Sequence, residues 1–168
     1  VGRNVGIKSL NDAVEALKEN QCKHYDILQV EYGQTKKYSF LCTNFGFSAN
    51  HRIRPWMKRL LGPKGAYYFA AFLEIVLFRP WYMTLEWNNE RYEGKTTMVL
   101  FANVERSSGG SMVIGPKAKP TDGKITVTIV PYKSKWDCLF VKLPKMPKGT
   151  LIEEPDVQYF QAETIAIK

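Results

Sequence analysis

The stretch from Ser107 to Val130, SSGGSMVIGPKAKPTDGKITVTIV, constrains the fold more than any other part of the chain. Gly109-Gly110 lead into a short apolar run, and a proline-bracketed loop then ends in Asp122-Gly123. Beyond it Ile125, Val127 and Ile129 alternate with threonines, which predicts a strand with one buried face. The pattern reads as strand, tight loop, strand. On local chemistry alone Pro120-Thr121-Asp122-Gly123 is a turn: proline pre-sets φ, the Asp side chain bonds nearby backbone, and Gly permits positive φ.

Similar signals recur on both sides of this stretch. Tyr25–Tyr32 and Lys37–Phe45 read as two strands joined by Gly33-Gln34-Thr35-Lys36. Trp81–Trp87 and Thr96–Asn103 read as a second hairpin around a loop at Asn88–Lys95, and Asp156–Lys168 as a closing pair of strands or one bent strand. Helices are expected in three places. Ser9 caps a short amphipathic helix through Lys18, Trp136–Leu143 forms a short helix, and Asn50–Phe78 is helical on both sides of Gly62-Pro63. The aromatic-rich second half, with Tyr67, Tyr68, Phe69 and Phe72, reads as core. Many strands around helical inserts, without regular strand-helix alternation, argue against a doubly wound parallel sheet. A mainly β (α+β) fold is expected, a two-sheet β-sandwich with helical insertions, as a single domain over residues 1–168.

Twenty-four Lys and Arg against 16 Asp and Glu give a net charge of +8, which favours an anionic membrane surface, nucleic acid or a phosphorylated substrate as partner. Cys22, Cys42 and Cys138 have no zinc or disulfide spacing, which points to a reducing compartment. The longest apolar run, Ala66–Phe78, contains Glu74 and falls short of the ~20 residues a membrane span requires. The expected location is cytoplasmic, peripheral at membranes. His24 and His51 stand alone, with no nearby pattern that makes a hydrolytic arrangement.

Gly109-Gly110, Pro116-x-Ala118 and Asp122-Gly123, in this order and spacing, resemble the C-terminal domain of the diacylglycerol kinase and sphingosine kinase superfamily of lipid kinases. Gly46-Phe47-Ser48-Ala49 resembles that family's Gly-Phe-x-Ala segment, and Arg3-Asn4-Val5-Gly6-Ile7 resembles the residues that follow its Gly-Thr-x-Asn-Asp motif. The resemblance covers about Val5 to Lys168 and implies a two-sheet sandwich. It also implies an ATP-dependent kinase acting on the hydroxyl of diacylglycerol, a sphingoid base or a similar lipid. The family's Gly-Gly-Asp-Gly-Thr phosphate loop and the Gly-Glu pair of its proposed base do not occur in these residues. The resemblance therefore implies that ATP binds through an N-terminal kinase domain outside this chain, and that the chain alone is inactive.

From the same resemblance follows a Mg²⁺ site, with the Asp122 carboxylate and the backbone carbonyls of Lys119 and Lys124 as ligands. Oxygen ligands including one carboxylate suit that ion, and a plain Asp-Gly turn remains the other reading. Arg54, Trp56, Lys58 and Arg59 could seat on an anionic bilayer, cations at phosphates and indole at headgroup depth, or form an ordinary solvated helix face. The alternative functional class is a non-catalytic basic module for anionic membrane lipid or nucleic acid, nucleic acid being the less expected partner.

Overall fold

The computed structural model describes residues 2–20, 22–47, 54–107 and 112–168. One long strand organises them. β1 is Leu28–Tyr32, β2 Thr35–Ser39, β3 Cys42–Gly46, β4 Trp81–Trp87 and β5 Glu90–Ala102, and β5 spans 13 residues. The turn from β4 to β5 is only Asn88-Asn89, both at positive φ (43° and 66°), the conformation that matches strand twist in a two-residue hairpin. Of the eight-residue loop expected at 88–95, Glu90–Lys95 are thus strand instead. Glu90, Arg91, Glu93 and Lys95 are exposed while Tyr92 and Thr96 turn inward, so a half-solvated strand looks polar in sequence.

Thr96 pairs with Trp81 on one edge and with Pro131 on the other, and the register shifts between Thr96 and Met98. Beyond that point β3 replaces β4 on the first edge, while β8, Ile125–Pro131, follows the second. β9, Gln158–Ala162, lies outside β8, and β10, Ala166–Ile167, lies outside β4. The antiparallel order is β10-β4-β5-β8-β9, with β3 also against β5. β9 and β10 thus sit on opposite edges, yet three residues join them. Four strand spacings in a flat sheet would part them by ~19 Å, whereas four residue steps reach at most ~14 Å. The sheet therefore folds over along β5, laying β4 and β10 against β8 and β9. Trp87 of β4 stacks on Phe160 of β9, ring centres 4.0 Å apart. The fold is the mainly β, two-layer sandwich with helical insertions that the sequence indicated.

Its interior holds Met83, Leu85, Val99, Phe101, Val127 and Ile129. The opposite side of the same strands is covered as well: Met98, Leu100 and Val130 pack with Phe47, Ile75, Cys138 and Met146. Thr126 and Thr128, which alternate with the buried Val127 and Ile129, are themselves only 1% and 2% exposed. Gly46 ends β3 at φ 92°, where a Cβ would lie 2.4 Å from the Thr97 carbonyl oxygen, so only glycine fits.

β1 and β2 form the expected hairpin, but the strand expected over 37–45 breaks at Phe40-Leu41 into β2 and β3, which belong to different sheets. A further short pair, β6 (Arg106–Ser107) with β7 (Met112–Val113), follows β5.

Helix α1, Leu10–Lys18, begins with a reciprocal cap. Ser9 Oγ accepts from Asp12 N–H at 3.1 Å, and Asp12 Oδ2 accepts from Ser9 N–H at 2.9 Å. Helix α2, Pro55–Leu77, kinks at Gly62, which has φ 67°, and Met57 of its first half packs with Ala66 and Ala70 of its second. The expectation that this helix's aromatic half is core is corrected here for Phe69 and Phe72, while the side chains of Tyr67 and Tyr68 lie outside the described residues. Ala66, Ala70 and Ile75 form its buried face, while Phe69, Phe72, Val76 and Leu77 are exposed. Small side chains let the two halves approach, which puts the rings outside.

After β8 the chain forms α3, Lys135–Asp137, a π-helical turn over Cys138–Lys142, and α4, Leu143–Lys145. This helical stretch was expected, starting one residue later. Lys142 is buried, its Nζ 2.5 Å from Asp156 Oδ2 and 3.7 Å from Asp137 Oδ2, which ties the helical segment to the approach to β9. All three cysteines are free. Among the described residues no helix is long and apolar enough to cross a membrane.

Candidate functional site

The Asp-Gly loop feeds β8, and a residue 97 positions before its glycine holds it. Asp26 Oδ2 accepts the Gly123 N–H at 2.8 Å, and the Asp26 N–H donates to the Pro120 carbonyl at 2.8 Å. Gly123 has φ 68°, which turns its N–H toward that carboxylate. The Asp122 carboxylate closes the turn locally, Oδ1 accepting the Lys124 N–H at 3.1 Å, and Gln161 Nε2 of β9 lies 3.4 Å from Oδ2. Two carboxylates therefore hold successive N–H groups of the exposed turn, Asp26 that of Gly123 and Asp122 that of Lys124. The turn predicted from local chemistry is present.

Asn103, at the end of β5, locks Asp26 in place. Its Nδ2 donates to the Asp26 carbonyl at 2.7 Å and to the Phe40 carbonyl at 3.0 Å, while its own N–H donates to the Leu41 carbonyl at 3.0 Å. The side chain is 1% exposed, and its Oδ1 has no partner among the described residues. The sequence reading singled out neither Asp26 nor Asn103. Asp26 is a single acid at the head of a strand run, and only the tertiary fold brings it to the loop.

Beside this loop lies a cleft of about 510 Å³ lined by Asn4, Lys8, Val104, Glu105, Arg106, Ala118 and Pro120. Asn4 Nδ2 donates to the Arg106 carbonyl at 2.7 Å, which docks the N-terminal segment onto the start of β6. The Pro-x-Ala loop is pinned on the other wall: the Ile114 N–H donates to the Glu105 carbonyl at 2.9 Å, and the Ala118 N–H to the Gly115 carbonyl at 2.9 Å. Residues separated by a hundred positions thus form one cleft. It carries the cations Lys8 and Arg106 and the acid Glu105, with the Asp-Gly turn two residues beyond Pro120. Gly109-Gly110, Ser48-Ala49 and His51 lie outside the described residues.

Lys119 and Lys124, whose carbonyls were expected to join Asp122 on a metal, flank the turn with exposed side chains. A hard cation here would find the Asp122 carboxylate and backbone carbonyls, an all-oxygen set of the kind Mg²⁺ takes while keeping several waters. Among the described residues no group of three or more His, Cys, Asp or Glu converges anywhere. Any ion bound at the loop must therefore lean on carbonyl and water oxygens. The predicted membrane-contact residues Arg54, Trp56, Lys58 and Arg59 are all exposed at the start of α2, with Met57 alone turned inward. Arg54 and Met57 line a different pocket from that beside the Asp-Gly loop, together with Gly46, Leu73, Leu77 and Trp81.

The fold and motifs have close counterparts among known proteins. Residues 44–168 match the family described as "YegS C-terminal NAD kinase beta sandwich-like domain". A protein of Staphylococcus carnosus (strain TM300) named "Putative lipid kinase" is 28% identical over 117 residues, which are 70% of this chain and 37% of that protein. Two solved structures from Bacillus anthracis str. Sterne share the fold. One, described as "a putative diacylglycerol kinase", superposes with TM-score 0.69 at 16% identity over 99% of this chain and 54% of its own. The other, described as a diacylglycerol kinase, gives TM-score 0.63 at 18% identity over 99% and 53%. The chain therefore spans between about a third and about half the length of these relatives. With three quarters of its length matched, the chain belongs to the YegS C-terminal β-sandwich family, the C-terminal domain type of diacylglycerol-kinase-like lipid kinases.

Proposed function

We propose that this domain forms the lipid side of the active-site cleft of an ATP-dependent lipid kinase, which phosphorylates the hydroxyl of diacylglycerol, a sphingoid base or a similar lipid. The observation that carries the reading is the convergence of Asn4, Lys8, Val104–Arg106, Ala118 and Pro120 on one cleft next to the Asp122-Gly123 turn. Phosphoryl transfer depends mainly on positioning and on stabilising charge around the moving group. Lys8 and Arg106 put positive charge into the cleft. Asp26 fixes the turn at its edge through the Gly123 N–H, and Asn103 fixes Asp26.

Asp122, with the carbonyls of Lys119 and Lys124, would hold Mg²⁺, and a bound ion would neutralise Asp122 and brace the loop. ATP is the co-substrate, bound by a nucleotide domain outside these 168 residues. No Gly-Gly-Asp-Gly-Thr loop occurs in this sequence to cradle its phosphates. The lipid is met at an anionic membrane surface of the cytoplasm, with Arg54, Trp56, Lys58 and Arg59 among the contacts.

The test is transfer of the ATP γ-phosphate to diacylglycerol and to sphingosine in mixed micelles. The 168 residues alone should transfer none, and a protein that joins them to the relatives' nucleotide half should transfer phosphate. Activity of the isolated chain, or none after joining to either lipid, refutes the reading.

A further inference from the structure

We infer that Trp136 and Phe140 form an insertion wedge that anchors the domain in an anionic bilayer, together with the exposed stripe at the end of α2. The two rings stack with centres 5.7 Å apart and planes at 10°, yet they are 70% and 66% exposed. They sit four positions apart on the helical stretch, opposite Cys138 and Lys142, which face the core. Stacking that leaves both rings solvated removes little apolar surface, so the fold gains only a modest i,i+4 pairing from them, and together they present an exposed apolar patch.

The wedge is continuous with α2. The Lys135 ammonium donates to the Val76 carbonyl, and Ile75 and Cys138 share one core cluster. Trp136 is therefore held next to the helix end that exposes Phe72, Val76 and Leu77.

Charge chooses the occupant. Residues 54–81 carry Arg54, Lys58, Arg59, Lys64 and Arg79 against Glu74 alone. Asp137, which follows Trp136 in the chain, faces the Lys142 ammonium, as does Asp156. Exposed indole and phenyl groups beside lysine and arginine match an anionic bilayer, with rings at headgroup depth and cations at phosphates. A protein interface of this size would instead deplete lysine around its aromatic centre.

This inference rests on the membrane part of the function proposed above and adds an anchor on a different element. It is tested without ATP or substrate lipid, so its failure is separate from failure of the kinase reading. Full-length protein is sedimented with phosphatidylcholine vesicles with and without phosphatidylserine, and Trp fluorescence is quenched with brominated lipid. Wild type should bind the anionic vesicles in a salt-sensitive way, with quenching that falls in Trp136→Phe. Trp136→Ser/Phe140→Ser should bind roughly tenfold more weakly or worse, the least expected from removing two inserted rings, with melting unchanged because both rings are exposed. Undiminished binding by the double variant overturns the inference, as does equal binding of wild type to neutral vesicles. So does self-association that the double variant abolishes while vesicle binding persists, which would make the patch a contact with a second copy.

Discussion

Replacing Asp26 by alanine removes one acceptor from the Asp-Gly loop and nothing from the backbone. The bonds from the Asp26 N–H to Pro120 and from Asn103 to the Asp26 carbonyl are main-chain on the Asp26 side and survive. What disappears is the 2.8 Å charge-assisted bond from the Gly123 N–H. Such bonds contribute about 1.5–3 kcal/mol. This one is exposed, so water replaces part of it and the expected cost is about 1 kcal/mol. At this chain length that lowers Tm by about 2–4 °C. Asp26→Asn keeps an oxygen acceptor without the charge and should cost about half as much. Thermal unfolding by circular dichroism measures the first effect, and amide hydrogen exchange at Gly123 isolates the second, because its protection should fall in Asp26→Ala while β5 amides keep theirs. If the loop binds Mg²⁺, the ion's stabilising increment should shrink in Asp26→Ala and vanish in Asp122→Asn. Unchanged Gly123 exchange together with unchanged Tm would refute the argument that Asp26 holds the loop.

Lys142→Met leaves Asp137 and Asp156 facing each other without their cation and should cost about 3 kcal/mol, the low end of the usual range because Lys133 remains 3.4 Å from Asp156. Equilibrium denaturation in urea checks it, and a loss below about 1 kcal/mol would show that the cluster is not structurally coupled. Burial pushes the Asp156 carboxyl up, but the Lys142 hydrogen bond and the charges of Lys142 and Lys133 together hold it below the ordinary aspartate value. A depressed folded value contributes stability that is present above the unfolded pKa, about 3.9, and is lost as pH falls through the lowered one. Urea midpoints should therefore decline below about pH 4, and that acid-side decline should shrink in Lys142→Met, where the cation that depresses the Asp156 carboxyl is gone. Gly46→Ala forces a Cβ to 2.4 Å from the Thr97 carbonyl at φ 92° and should destabilise by about 3 kcal/mol; a change near zero would mean that β3 shifts freely.

The β-sandwich and its Asp-Gly turn were legible because alternation and turn chemistry are local. The β4–β5 hairpin was legible in its strands but not in its turn. Glu90 to Lys95 alternate polar residues outward, and an exposed strand resembles a loop until Asn88-Asn89 is known to reverse the chain. α2 misled in the other direction. Aromatic content suggested core, yet Ala66 and Ala70 permit the close approach of its two halves and leave Phe69 and Phe72 outside. Alternation along β8 showed one buried face, whereas the burial of Thr126 and Thr128 follows from covering on both sides, which sequence does not reveal. At the site, Pro116-x-Ala118 and Asp122-Gly123 carried a motif, whereas Asp26 and Asn103 act through contacts across 97 and 77 residues that no local pattern encodes.

The most direct test of the functional account is the rate of lipid phosphorylation by the full-length protein with Asp122 and with Asp122→Ala, measured with diacylglycerol and sphingosine in mixed micelles under saturating ATP and Mg²⁺. The account predicts that wild type phosphorylates one of these lipids. It also predicts that Asp122→Ala loses at least about tenfold in kcat, the least expected when a positioning element beside the transferred group is released, with its circular dichroism retained. Wild-type activity that Asp122→Ala leaves intact would contradict the placement of the Asp-Gly loop at the working cleft.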